Sequence, residues 1–300
     1  MNSDTKNLAQ GVAFVLVGAF CFSLAIPFTR WTHDLGTPVI VFWRAFFGFL
    51  FLLTLVTRDH EPLRYPHYRH ATRRLLLLGF CVVLTVIFYT YAVQHTTAAI
   101  AVLLVNSAPI YVALLSPWLL NEPRSPYTWI SLGMALVGMA LLTDLTQLGG
   151  ASGDLSGVIA AALSGLTYGS VMMVSRSLRG SIQGLTQNLW AMGLIVLIMI
   201  PFALSAPLDT LVDNLPVLIP LGVFSLGMSY MFYFLGLARV SAQVVSVVSL
   251  SESVFGVMMG VIFFAEVPNV LGWLGGALIL VSIYLISRPS GAVIGRRQRI

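Results

Sequence analysis

The sequence predicts an all-α membrane protein with ten transmembrane helices, arranged as two inverted five-helix repeats around a central cavity. Three observations carry that prediction: scarcity of charge, ten apolar stretches of membrane-crossing length, and a match between the two halves of the chain. The 300-residue chain is 58% hydrophobic and only 9% charged, with a mean hydropathy of +0.91. A soluble domain keeps roughly a quarter of its residues charged, so lipid is the expected solvent. A net charge of +5 would suit nucleic acid only as a basic stripe interleaved with aromatics. Here the basic residues sit between apolar runs, so no nucleic-acid partner is expected.

The apolar stretches fall near 8–28, 37–57, 74–94, 97–119 and 126–143, then 156–175, 184–204, 215–237, 241–265 and 268–287. Each approaches the twenty residues that a helix needs to cross the hydrocarbon core. The first is too long for a cleaved signal peptide and is followed by nine of its kind. Only His95, Thr96 and Thr97 separate the third from the fourth. The longest polar stretch, 58–74, leaves no room for a soluble domain. Its Arg64, Tyr65, His67, Tyr68, Arg69, His70, Arg73 and Arg74 read as a topology-setting loop, with contact to anionic lipid headgroups as the alternative.

With both termini inside, every lysine and arginine except Arg30 and Arg44 falls on the inner side. Asp34, Asp144, Asp154, Asp209, Asp213 and Glu266 fall outside. That asymmetry follows the positive-inside rule, and an odd helix count would scramble it. A multi-pass protein of the inner (plasma) membrane with both termini cytoplasmic is the expectation.

Residues 88–142 lie over 232–286 without a gap: Phe88-Tyr89 meets Phe232-Tyr233, Ala98 meets Ala242, and Ser107 meets Ser251. Glu122 meets Glu266 and Trp129 meets Trp273. Upstream, Gly11 and Gly157 open each half, and Arg30 and Arg176 each end a first helix. Two units follow, 1–147 and 148–300. Five helices per unit is an odd number, so the second copy must sit inverted, a transporter signature that places the substrate between the halves.

Glu252 is the most informative residue, because it falls near the middle of the ninth stretch. A charge there costs about 2.5–3.5 kcal/mol on insertion scales, so it should face a cavity and attract an amine or exchange a proton. Its structural alternative is a protonated carboxyl bonded between helices. Ser249, Glu252, Ser253 and Gly256 share a helical face, extended by Ser246 and Gln243. Gly256 and Gly260 read as close packing. The eighth helix offers Ser225, Ser229 and Tyr233, the third Thr85 and Tyr89, the fourth Asn106 and Pro109, the sixth Ser164, Thr167 and Tyr168. Hydroxyls in membrane helices often bond only their own backbone, whereas a tyrosine gives a cavity an apolar wall with a polar tip.

Arg44 opens the second helix, where it either snorkels or serves as a gate or carboxylate partner. Candidate substrate contacts are therefore Glu252, Tyr89, Asn106, Tyr168, Ser229, Tyr233, Ser249, Ser253 and Arg44. Pro109, Pro117 and Pro220 mark bends, hinged or static. Glu122 and Glu266 read as structural groups at helix junctions. Cys21 and Cys81 read as packing residues. No metal cluster, cofactor motif or phosphate loop is present in the sequence, and paired groups for an intramembrane enzyme are lacking.

Phe42-Trp43-Arg44, the passages Leu120-Asn121-Glu122-Pro123 and Phe264-Ala265-Glu266-Val267, and the glycines after each glutamate (Gly133 and Gly138; Gly272, Gly275 and Gly276) resemble the drug/metabolite transporter superfamily. The resemblance is to its ten-helix EamA-type exporters and covers nearly the whole chain. Size and aromatic content are similar to those of YddG-type amino-acid exporters. One departure concerns the ninth helix, where the family usually carries a proline at the position equivalent to Pro109 and this chain has Ser253.

The resemblance implies a secondary carrier exporting small amphipathic metabolites, above all amino acids, aromatic and other neutral ones, by alternating access. A drug or cation efflux carrier of the same fold and a passive channel are the alternatives. A small-molecule substrate, membrane lipid and a functional monomer complete the expectation.

Overall fold

The computed structural model describes residues 3–58, 69–95, 103–121, 127–142, 155–265 and 267–287. Every regular element among them is helical. Seven helices have the length and hydropathy to cross a membrane: Asn7–Arg30 (α1), Pro38–Thr57 (α2), Ala71–Tyr89 (α3), Leu155–Ser177 (α6), Gly184–Phe202 (α7), Leu208–Arg239 (α8) and Ala242–Phe264 (α9). Three shorter apolar helices complete the set: Leu103–Leu119 (α4), Thr128–Leu142 (α5) and Val270–Ile286 (α10). Ten helices thus stand among the described residues, one in each stretch that hydropathy marked. Glu122 and Glu266 lie outside the described residues, as does most of the polar loop ending at Arg69.

Glycines set the packing, because helices without a hydrophobic drive between them associate through close backbone contact. Along α1 and α8, Gly11 meets Val240, Val15 meets Gly236 and Gly18 meets Tyr233. One number rises as the other falls, so these helices run antiparallel. Likewise, His95 of the third helical rod meets Gly157, and Thr85 meets Thr167, so α3 and α6 are antiparallel. Gly138 faces Ile279 while Gly275 faces Leu142, which makes α5 and α10 antiparallel as well. By contrast, α4 runs parallel to α6, with Leu104 at Gly165 and Ala108 at Gly169. In the same way α1 runs parallel to α9, with Phe20 at Phe255 and Trp31 at Phe263.

These pairings come in matched sets. The contact of α1 with α8 has its counterpart in α6 with α3, and α4 with α6 in α9 with α1. Pairs α2–α7, α4–α9 and α5–α10 join equivalent helices. A two-repeat helical membrane fold is thereby visible in the contacts.

The two ends differ in charge. At one, Arg74 donates to the Ser177 carbonyl at 3.2 Å, Arg176 to Leu237 at 2.6 Å and Arg239 to Leu235 at 2.9 Å. At the other, the His33 amide donates to Asn214 Oδ1 at 2.9 Å and Asn214 Nδ2 returns to the His33 carbonyl at 3.1 Å. Asp34 and Asp213 line a hollow of about 510 Å³ beside that link. The basic end also holds the first residues of α1, against Val240, and the last of α10.

Candidate functional site

Four of the ten helices are interrupted within their length. In α1 a turn at Leu24 separates Ser3–Ser23 from Ala25–Arg30. In α4 a turn at Asn106–Ser107 precedes Ala108–Leu119, with Pro109 in its first turn. Proline removes the amide that would have continued the ladder, and the Ser107 amide and hydroxyl both donate to Leu104, at 3.1 and 2.6 Å.

In α9 the interruption falls at Ser249–Leu250, between Ala242–Val248 and Ser251–Phe264. No proline is needed there. The Ser246 hydroxyl donates back to Gln243 at 2.9 Å and that of Ser249 to Ser246 at 2.8 Å, a pattern that bends helices. The ladder tightens, with the Glu252 amide donating to Ser249 at 2.9 Å and that of Ser253 to Leu250 at 3.1 Å. In α8 the stretch Val223–Met228 is π-wound, a feature frequent at functional sites.

The interruptions of α8 and α9 lie beside one group of side chains. Glu252 stands in the first turn of the outer part of α9, where the helix dipole favours an anion. Its charge is felt by Arg44 of α2, Tyr89 of α3, Tyr168 of α6, and Tyr230 and Tyr233 of α8. Partners on four other helices mean that Glu252 points into the bundle, not into lipid. Tyr168 donates to Tyr233 Oη at 3.3 Å, their rings stacked with centroids 6.3 Å apart. Tyr233 also lies near the Ser249 side chain.

Of the sequence-derived candidates, Arg44, Tyr89, Tyr168, Tyr233, Ser249 and Glu252 are thus brought together. Arg44, Tyr89, Asn106, Tyr168, Glu252 and Ser253 are each partly exposed, whereas Tyr233 and Ser249 are buried. Ser229 sits apart from the exposed group. It is fully buried, and its hydroxyl donates to the carbonyls of Ser225 at 2.8 Å and Leu226 at 3.2 Å. Asn106 lies at the α4 turn itself.

Arg44 does not snorkel. Its Nε donates to Ser225 Oγ at 2.8 Å and Nη2 to the Ser225 carbonyl at 3.1 Å, inside the π-wound stretch. Tyr230 was absent from the sequence-derived set, yet it lies in the same electrostatic group and packs edge-on against Phe22 at 4.9 Å. The signal was available: Tyr230 and Tyr233 are three apart and share a helix face.

Towards the basic end the group has a floor. Every residue from Ala242 to Ser251 is buried. Gln243 there accepts from Thr128 at 2.9 Å and donates to Ser116 Oγ at 3.0 Å, tying α9 to α5 and α4. Gln243 is therefore a clamp between helices. Gly256 rests against Ile26 of α1 and serves packing. Thr85 and Thr167 bond each other at 2.9 Å, which leaves them in the α3–α6 contact. Among the described residues no group of three His, Cys, Asp or Glu side chains is placed to hold a metal.

The sequence pattern of the EamA-like transporter family matches residues 9–144 and again 155–288. The chain is similar to a transporter of Archaeoglobus fulgidus, 29% identical over 284 residues, covering 94% of this chain and 97% of the relative. It is 27% identical over 289 residues to a pseudopaline exporter of Pseudomonas aeruginosa, covering 94% and 97%. To a riboflavin transporter of Rhizobium johnstonii it is 25% identical over 290 residues, covering 95% and 93%. A solved crystal structure superposes with a TM-score of 0.79 over 97% of this chain and 99% of that one, at 18% identity, which speaks for the fold.

Proposed function

The chain belongs to the EamA-like transporter family and is a multi-pass membrane transporter; from that premise we propose that it exports amino acids, aromatic and other neutral ones, by alternating access. The observation that supports this reading is that Glu252, beside the interruption of α9, lies within electrostatic range of Arg44 and of four tyrosines, Tyr89, Tyr168, Tyr230 and Tyr233. A carboxylate suits a substrate ammonium, a guanidinium suits a substrate carboxylate, and tyrosine rings suit an apolar side chain. Opposite charges held within electrostatic range of each other fit a zwitterion better than a simple cation.

The floor at Ala242–Ser251 closes the site towards the basic end, and the partial exposure of Asn106, Glu252 and Ser253 opens it towards the acidic end. By the positive-inside rule the basic end is cytoplasmic, which puts both termini inside and the open side outside. The working unit is a monomer, since the group is complete within one chain, and bilayer lipid is its surrounding partner. Residues 1–147 and 148–300 form the two repeats that rock about the site. Glu252 alternates between a proton and the substrate ammonium, which couples export to the proton gradient.

The test is counterflow in liposomes holding the purified protein. Saturable uptake of labelled phenylalanine, accelerated by unlabelled amino acid on the opposite side, is expected. A flux that neither saturates nor responds to the opposite side would identify a channel. Efflux of organic cations without amino-acid flux would favour a drug carrier.

A further inference from the structure

We propose that Ser225, presented by the π-wound stretch of α8, positions Arg44 as a one-edged clamp for the substrate carboxylate, so that the site discriminates between an amino acid and its decarboxylated amine. The proposal rests on the transport reading above and names the residue that sets its specificity.

A guanidinium offers two forks for bidentate bonding. The side fork, Nε with the adjacent Nη2 hydrogen, is spent on one residue: Ser225 Oγ at 2.8 Å and the Ser225 carbonyl at 3.1 Å. The end fork, between Nη1 and Nη2, is not engaged by hydrogen bonds among the described residues. Both Ser225 acceptors are neutral, so they fix the plane of the guanidinium without cancelling its charge. The Ser225 hydroxyl donates its own proton to the Leu221 carbonyl, which leaves a lone pair for Nε. Ser225 is fully buried and does not touch a solute itself, so its part is orientation.

The surrounding backbone supports this geometry. Winding with five-residue steps opens carbonyls that a regular helix would bond internally, and side chains from two other helices use them. Arg44 takes that of Ser225, and Asn188 Nδ2 of α7 donates to that of Gly227 at 2.9 Å. Close approach of α2 needs glycine on both sides: a Cβ on Gly222 would stand 2.6 Å from the Arg44 carbonyl, and one on Gly48 3.0 Å from that of Gly222. An arginine required only to cap one carbonyl could be exchanged for a neutral donor. Here it keeps its charge within electrostatic range of Glu252, the arrangement that a zwitterion completes.

The experiment uses the full chain in liposomes and compares phenylalanine, phenylalaninamide and phenethylamine as competitors of labelled phenylalanine. Wild-type protein should prefer phenylalanine to both carboxylate-free analogues by about tenfold or more, the scale of a hydrogen bond to a charged group. Ser225→Ala should raise KM for phenylalanine several-fold with little change in maximal rate, and should shrink the acid-to-amine ratio; Arg44→Lys, lacking the fork, should shrink it further. A merely structural serine would change the amount of folded protein and leave that ratio alone. Equal competition by all three compounds in the wild type, or an unchanged ratio in Ser225→Ala, overturns the clamp while the carrier stands. Where Ser225→Ala fails to fold, the wild-type series and Arg44→Lys decide. Absence of saturable flux for all three removes the amino-acid reading, and the clamp with it.

Discussion

Helices α4 and α9 occupy equivalent places in the two repeats and are interrupted at nearly the same position, yet by different chemistry. In α4 the interruption at Asn106–Ser107 comes just before Pro109, which has no amide to continue the ladder. In α9 it rests on side chains: Ser246 and Ser249 bond back to their own helix, and Glu252 starts the next segment. The matching residue to Pro109 is Ser253, so the missing family proline does not abolish the interruption. It replaces a covalent device with one made of hydrogen bonds around a charge. Under the transport reading proposed above, the first repeat would supply a rigid wall, and the second a wall whose shape responds to what Glu252 binds.

The largest effect should follow from the charge. Glu252→Gln is expected to lower amino-acid flux by about 10- to 100-fold, the range for losing a charged partner, and to flatten its pH dependence. In the wild type, substrate should bind better as pH rises through the titration of Glu252, because only the carboxylate attracts an ammonium. Flux assays across pH check this, and an unchanged profile would strip Glu252 of its role. Asn106→Ala, at the equivalent turn of α4, should cost no more than a few-fold.

Next come the glycines that bring the repeats together at α5 and α10. A Cβ on Gly138 would stand 2.6 Å from the Gly275 carbonyl, so Gly138→Val should destabilise by about 1–3 kcal/mol, as overpacking does. Thermal unfolding in detergent measures it. Between the two interruptions, Ser249→Ala should slow transport several-fold, because it removes a back-bond at the α9 turn. Pro109→Ala should leave substrate affinity intact and alter only the maximal rate. Equal effects of both on affinity would erase the proposed division between rigid and responsive walls.

The smallest expected effect lies just beyond these helices. Asn121 and Ala265 end α4 and α9 in the same left-handed conformation, with φ of 52° and 55°. Asparagine adopts it readily and alanine does not, so Ala265→Gly should stabilise by up to about 1 kcal/mol. Asn121→Ala should do the reverse.

Much of this architecture is legible in residue order, because lipid imposes length and hydropathy on every crossing helix and the repeat leaves aligned residues behind. Glu252 stood out for the same reason: a lone carboxylate in an apolar run has few explanations. Arg44 was harder to read, since a basic residue near a helix start looks like a snorkelling group. Only the position of α8 shows that it reaches Ser225. The π-wound stretch Val223–Met228 has no simple sequence rule, whereas Tyr230 could have been read from its three-residue spacing to Tyr233. Ser229 and Gln243 illustrate the limit of helical faces, since both lie on polar stripes and both are spent on helix structure. The serine face of α9 also ceases to be continuous once the helix turns at Ser249–Leu250.

The central proposal, that Glu252 and its neighbours form a solute site reached from the side opposite the basic end, can be tested by cysteine labelling. The native Cys21 and Cys81 are both buried and give a low background. Ser253→Cys, reconstituted in oriented vesicles, should react with a membrane-impermeant thiol reagent added outside, and saturating phenylalanine should slow that reaction. Labelling by lipid-soluble reagents alone, with no protection by any amino acid, would place Ser253 against acyl chains and contradict the account.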